Sequence, residues 1–243
     1  MKQFKANEPG GIVLVVKEGE VIYRKAFGKA NLELDVDMRP EYILQIGSIT
    51  KPFTACAILK LMEEGKLSLQ DDITKYIEDY PTHGHTITIE HLLTHTSGIK
   101  SYTGMDEWTS EVRKKNFTPE ELTDFFKNQP MDFAPGEKYS YNNSAYFLLG
   151  YLIEILSGKT YEVFIDSVFF QPLGLNNSFY GNTSRIIKNR AAGQMRFQIF
   201  PLERHNFFAK IVDAQFIFHM DDNNEVTGLT LVQNGEHKAE KIE

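Results

Sequence analysis

A chain of 243 residues has room for one large domain or two small ones, and 42% hydrophobic with 24% charged residues is ordinary for a soluble globular protein. With 26 basic against 33 acidic residues the formal charge is −7, so no basic excess points to nucleic acid or to an anionic membrane. The single cysteine, Cys56, excludes an internal disulfide, and the longest strongly apolar run, residues 147–156, is too short to span a bilayer and contains Glu154. The opening MKQFKANEPGG carries no apolar stretch of the kind that marks a secretory signal.

Residues 12–16 are β-branched and apolar, residues 17–20 read as a turn, and residues 21–27 resume as strand, which predicts a hairpin. Residues 28–40 read as connecting loop. The stretch from Ile46 to Gly65 follows, IGSITKPFTACAILKLMEEG. Ser48 stands where a helix should begin, as a preferred N-cap, and Pro52 falls in the first turn, where its missing N–H costs least. Ala55, Cys56, Ala57, Ile58, Leu59, Leu61 and Met62 are apolar with only Lys60 charged among them, which predicts a buried helix stopped at Gly65. Residues 66–81 read as a short amphipathic stretch and loop. Thr88 caps a short helix ending before Thr96-Ser97-Gly98. Thr118-Pro119-Glu120-Glu121 is a helix start with Pro at the first position and acids in the first turn. Residues 144–156 form a second strongly apolar helix stopped by Ser157-Gly158, and residues 160–169 a third. From Met195 the pattern turns to strands, at residues 195–200, 207–220 and 226–232, with Asp221-Asp222-Asn223-Asn224 as a hairpin turn. These strands are expected to be able to pair with the 12–27 hairpin and cover its edge.

The chemistry concentrates in two stretches. Ser48 and Lys51 lie one helical turn apart and share a face. A serine hydroxyl is a weak nucleophile until a base takes its proton, and a partly buried lysine can do so alone or through a neighbour. The helix N-terminus adds partial positive charge and free N–H groups that favour an oxyanion. In Tyr139-Ser140-Tyr141-Asn142-Asn143-Ser144, Tyr141 and Asn143 lie just ahead of Ser144. A phenol beside an ammonium group is a usable base, and an Asn amide can hold the lysine and a substrate carbonyl together. Each pattern has a decoy, Ser97-Gly98-Ile99-Lys100 for the first and Tyr180-Gly181-Asn182 for the second, and tyrosines before a helix are commonly packing residues.

Together the stretches resemble the serine β-lactamase and penicillin-binding protein superfamily, in the branch of class C β-lactamases, D-alanyl-D-alanine carboxypeptidases and related esterases. The resemblance runs from about Gly10 to Gly193. It rests on Ser48-Ile49-Thr50-Lys51 with Phe53-Thr54-Ala55, on His91-Leu92-Leu93-Thr94-His95-Thr96-Ser97-Gly98-Ile99, on Pro135-Gly136 and Tyr141-Asn142-Asn143, and on Leu148-Leu149-Gly150 and Pro172-Leu173-Gly174. It implies an α+β fold with a helical core against an antiparallel sheet, followed by a C-terminal β meander. Ser48 is then the acylated nucleophile, Lys51 its proton-handling partner and Tyr141 the general base. Asn143 binds the lysine and the substrate amide, and the Ser48 backbone N–H is half of the oxyanion hole. The substrate would be a D-alanyl peptide, a β-lactam or a small ester, with no cofactor, and the native compartment periplasmic or extracellular.

The sequence departs from the family pattern at its third motif, a Lys-Thr-Gly or His-x-Gly on a strand flanking the site. The nearest string, Val226-Thr227-Gly228, has no cation in first place. The chain reads as a partial hydrolase domain over residues 1–193, and residues 194–243 resemble the last strands of a small β-barrel domain. The alternative function is therefore a catalytically impaired scaffold that serves as a binding or structural module. His83, His85, His91 and His95 offer a rival reading, since two histidines at i and i+4 can chelate zinc. No third ligand stands at suitable spacing, so packing and capping are the expected roles.

Overall fold

The computed structural model describes residues 5–181 and 187–191 in full and, beyond them, His219, Asp221 and the backbone of the tail strands. The chain divides into two compact units, residues 1–47 with 177–199, and residues 48–176 with 200–243.

In the first unit, β1 (Gly11–Lys17) pairs antiparallel with β2 (Glu20–Phe27). The connection is Glu18-Gly19, with φ of 53° and 83°. Positive φ at both turn positions is the geometry that matches the twist of a two-residue hairpin. The segment read as loop contains a second small pair, β3 (Lys29–Asn31) with β4 (Val36–Asp37). These strands are too short to show alternation, and the Lys29 ammonium ties them by ion pairs to Asp35 at 2.9 Å and Asp37 at 2.6 Å. Ile43 joins Asn189 and Ala191 through backbone bonds of 2.9 and 3.0 Å, which bring residues 187–191 back to this unit.

The second unit is built on α1 (Thr50–Glu63) and α4 (Asn143–Ser157), which pack on one another. Around α4 lie α2 (Ile89–Leu93), α3 (Pro119–Phe126) and α5 (Tyr161–Ile165). Ala57, Ile58 and Leu61 from α1 and Leu148, Leu149, Leu152 and Ile153 from α4 are fully buried in one core, joined by Leu92, Leu122 and Phe126. Both short helices begin as their sequences require. Thr88 and Thr118 each accept from the backbone N–H three residues on, and His91 and Glu121 reach back to the capping residue's own N–H. Gly158 ends α4 at φ 68°, a conformation glycine adopts without penalty. After α5 the chain continues into one wider turn, the π-helical segment Asp166–Phe170, where a continuous helix was expected.

The fold corrects the picture of α1 as buried all round. Thr54, Ala57, Ile58 and Leu61 are buried, whereas Leu59 is 40% exposed and Cys56 is also exposed. One face packs against α4 and α5, and the apolar residues opposite face solvent among the described residues. Among the described residues the expected pairing of the tail strands with the β1–β2 hairpin is not made. β5 (Phe200–Pro201), β6 (Asn206–Ala209), β7 (Ala214–Met220), β8 (Val226–Val232) and β9 (Glu236–Glu240) form their own antiparallel sheet in sequence order. The expected long strand over 207–220 is two strands, β6 and β7. Residues 195–199, most of the 221–224 turn and the boundary at Gly193 lie outside the described residues.

Candidate active site

Ser48 occupies a 3-10 turn, Gly47–Ile49, that leads into α1. It does not cap the helix: the capping position is Ile49, which makes no side-chain capping bond. The reason is that the hydroxyl is engaged elsewhere. Ser48 Oγ lies 2.6 Å from Tyr141 Oη and accepts from Lys51 Nζ at 3.2 Å. A hydroxyl has one proton to give and two lone pairs. With Lys51 on one lone pair, the short contact to Tyr141 is a hydrogen bond in which either oxygen can be the donor. The lysine also donates to Asn143 Oδ1 at 2.8 Å, and its ammonium sits 4.7 Å from the Tyr141 ring centre and 5.5 Å from that of Tyr146. All four residues singled out from the sequence thus meet in one cluster, brought together by the packing of α1 on α4.

The start of α4 fixes the second half. Asn142 is its N-cap and accepts from the Ala145 N–H at 2.9 Å. Its amide also donates to the Ile99 carbonyl at 2.6 Å. Asn143 is the first helical residue, one position earlier than the sequence suggested. Its N–H donates to Ser101 Oγ at 3.2 Å and its side-chain amide to Thr103 Oγ1 at 2.9 Å, which turns Oδ1 toward Lys51. The Tyr102 N–H donates to Ser144 Oγ at 2.9 Å. Ser101, Tyr102 and Thr103 therefore clamp the helix end that carries Asn143. Sequence reasoning passed over this support, and only the preference of Asn for a capping position could have flagged Asn142.

His95 completes the surroundings. Burial first, and the Lys51 charge second, push its pKa down to about 4, so the ring is neutral near pH 7. Its Nδ1 accepts from the Asn142 N–H at 3.1 Å, which puts the ring proton on Nε2. Its ring centre lies 4.7 Å from that of Tyr141 and 4.8 Å from that of Tyr146. Burial raises the phenols of Tyr102 and Tyr146, and the charge that Tyr141 carries when ionised adds to both. Those two phenols stay protonated.

The decoys separate from the cluster. Ser97 is 1% exposed, and its Oγ has no hydrogen-bond partner among the described residues, while Lys100 pairs with Asp132 at 2.9 Å. A nucleophile must be reachable, and this one is not. Tyr180 is on the surface of the first unit, and Asn182 lies outside the described residues. Of the histidine pair, His91 Nδ1 accepts from the Thr88 N–H at 3.2 Å and His95 Nδ1 from Asn142, so each is committed to the backbone.

The β-lactamase family model matches residues 1–205, and the chain belongs to that family, one of serine hydrolases with a mixed α and β fold. Protein flp of Staphylococcus aureus (strain N315) is 34% identical over 195 residues, which are 78% of this chain and 38% of that protein. The octameric penicillin-binding protein homologue from Pyrococcus abyssi is 34% identical with a TM-score of 0.65, over 90% of this chain and 46% of that one. The D-amino acid amidase from Ochrobactrum anthropi SV3, complexed with L-phenylalanine amide, is 26% identical with a TM-score of 0.65, over 75% of this chain and 51% of that one. The chain spans well under half the length of the curated relatives it matches. Among the described residues no helix is long and apolar enough to cross a membrane.

Proposed function

We propose that this chain is a serine hydrolase that forms an acyl-enzyme on Ser48. The observation that carries the reading is the contact set on one oxygen: Ser48 Oγ has Tyr141 Oη at 2.6 Å and Lys51 Nζ at 3.2 Å, with Asn143 holding the lysine from behind. Ser48 Oγ attacks a carbonyl carbon as its proton passes to the Tyr141 oxygen, which acts as the base with Lys51 beside it. The Ser48 N–H, in the turn that enters α1, faces the developing oxyanion with the positive end of the helix behind it. Tyr141 then returns the proton to the leaving group, and water releases the acyl group by the reverse course. Asn143 is the residue that would meet a substrate amide. These steps use no cofactor.

Substrates of this class are D-alanyl peptides, β-lactams and small esters. The relatives with penicillin-binding and D-amino acid amidase names support carbonyl compounds of that kind. The same resemblance carries the proposals of a periplasmic or extracellular setting and of a division into a hydrolase part over 1–193 and a tail over 194–243. A second reading, a scaffold impaired in turnover, is favoured by one feature. The string nearest the missing third motif, Val226-Thr227-Gly228, lies in β8, which is paired on both sides by tail strands and brings no cation. Incubation with a fluorophosphonate and with a fluorescent penicillin, followed by intact-mass and peptide mass spectrometry, separates the two. An adduct on Ser48 that disappears in Ser48→Ala supports the hydrolase. No adduct with either reagent supports the scaffold, and an adduct on Ser97 overturns the assignment.

A further inference from the structure

The residue that carries the base is held from both sides by one histidine. Tyr141 lies on the extended approach to α4, ahead of Asn142 at φ −141° and ψ 121°. The residue before it, Ser140, donates its N–H to the His95 carbonyl at 2.9 Å. The residue after it, Asn142, donates its N–H to His95 Nδ1 at 3.1 Å. Between these two anchors the Tyr141 ring rests against the His95 ring, tilted by 37°, and the imidazole also meets the Tyr146 ring, tilted by 34°. Tyr146 is itself fixed, since its hydroxyl donates to the Leu93 carbonyl at 3.0 Å and its backbone belongs to α4. His95 makes these contacts from a left-handed backbone, φ 59°. That conformation costs a residue with a Cβ about 1–2 kcal/mol, and strain of this sort collects where the surroundings impose a function.

We infer that His95 is the positioning residue for the base: by accepting the Asn142 N–H on Nδ1 and seating the Tyr141 ring against its own, it keeps Tyr141 Oη within bonding distance of Ser48 Oγ. The inference rests on the acyl-enzyme reading for its kinetic consequence and on geometry alone for its structural one. His95 does not touch the reacting atoms by this account. It decides where the oxygen at 2.6 Å stands, and misplacing a catalytic group by about 1 Å can cost 10²-fold in rate.

Two variants separate positioning from plain packing. His95→Gly removes the ring and the acceptor but is at ease at positive φ. His95→Asn also tolerates that backbone and offers Oδ1 where Nδ1 stood, so the bond from Asn142 survives without the ring. Acylation of Ser48 is followed by stopped flow with the fluorescent penicillin, over a range of reagent concentrations, and melting is followed by circular dichroism. His95→Gly is expected to lose about 10²-fold in the limiting acylation rate, with little change in the half-saturating concentration. His95→Asn is expected to recover at least about tenfold of that loss, a usual share for a restored positioning contact, at a similar melting temperature. Equal acylation rates in the two variants overturn the inference, whatever their common value. Crystal structures of both variants give an arm that needs no activity. The Ser48–Tyr141 contact should open in His95→Gly and persist in His95→Asn, and an unchanged contact in both overturns the inference. If the wild-type protein takes no acyl group from any reagent, the acyl-enzyme reading falls, and the crystallographic comparison still decides the role of His95.

Discussion

Replacing Gly98 by alanine tests how the loop between α2 and α3 is closed. Gly98 sits at φ 71°, and a Cβ built there falls 1.9 Å from the Phe133 carbonyl oxygen and 2.9 Å from its carbon. Ordinary van der Waals contact begins near 3.4 Å. The carbonyl would have to retreat by more than about 1 Å, well beyond what a packed interior gives without cost. On the same short stretch of chain the Asp132 N–H donates to the Gly98 oxygen at 2.8 Å, so this bond lengthens or breaks. Left-handed strain of about 1–2 kcal/mol, overpacking of about 1–3 and a lost hydrogen bond of about 1 give a destabilisation on the order of 4 kcal/mol. Gly65→Ala is the control, because Gly65 has nearly the same φ, 70°, with nothing within 4 Å of its added Cβ. It carries the strain without the collision and should cost about 1 kcal/mol. Urea unfolding followed by far-ultraviolet circular dichroism measures both. The loss should reach the site as well, since this loop carries His95 and the Ile99 carbonyl that receives Asn142. A difference between the two variants under about 1 kcal/mol would refute the reasoning, because overpacking alone should exceed it.

Tyr141→Phe should slow acylation of Ser48 by about 10²-fold or more, while Tyr139→Phe leaves it nearly unchanged; the reverse pattern would show that the base has been misplaced by two residues. Hydrolysis of p-nitrophenyl acetate should proceed while a cephalosporin turns over far more slowly, since the family resemblance puts the second oxyanion donor and a substrate-binding cation on the strand of the third motif, and losing one such donor costs about 10²–10³; cephalosporin turnover on the order of 10 s⁻¹ would mean that the tail rebuilds the third motif. Stability should fall as pH drops from 6.5 towards 4. In that window the unfolded chain protonates His95 at its ordinary value while the folded chain, with Lys51, Tyr139, Tyr141 and Tyr146 around the ring, resists until about 4. Allowing for partial exposure, this one group removes on the order of 2 kcal/mol across the window, and His95→Asn, compared with wild type by urea midpoints at pH 7 and 4.5, should remove that part of the slope. Leu152→Ala, at a fully buried position of α4, should cost about 2–5 kcal/mol in the same urea assay.

Local signals carried most of the helical unit. Thr118-Pro119-Glu120-Glu121 holds in one short string the cap, the proline and the returning acid, and the helix starts there. The Tyr139–Ser144 string likewise put Tyr141 and Asn143 just before an apolar helix; Tyr141 precedes α4, Asn143 opens it, and both approach Lys51. Ser48 misled as a cap because capping preference describes a serine with nothing better to bond, and Tyr141 from 93 positions away offers more. The apolar run of α1 has no polar face to break its pattern, so periodicity could not say which side packs. Cys56 and Leu59 face outward because only the Ala57, Ile58 and Leu61 side meets α4 and α5. Tail pairing was illegible for a related reason: strand alternation shows that an edge wants a partner without saying which one. The role of His95 depends on its own φ and on residues more than forty positions away, and no local string encodes either.

The two halves of the cluster are separated by 93 positions between Ser48 and Tyr141 and by 92 between Lys51 and Asn143. Closing a loop of that length costs about 4 kcal/mol of chain entropy, and only the shared core of α1 and α4 offsets it. Each helix can flicker into existence by itself, but the cluster has high contact order and cannot form ahead of that core. Synthesis adds a delay of the same origin. At ribosomal rates Ser48 is made roughly 5–20 s before Tyr141. Through that interval the serine has a lysine one turn away and no phenol opposite it. On the proposed acyl-enzyme reading, a growing chain therefore presents Ser48 as an ordinary hydroxyl, and the event that completes the fold is the one that gives it its base.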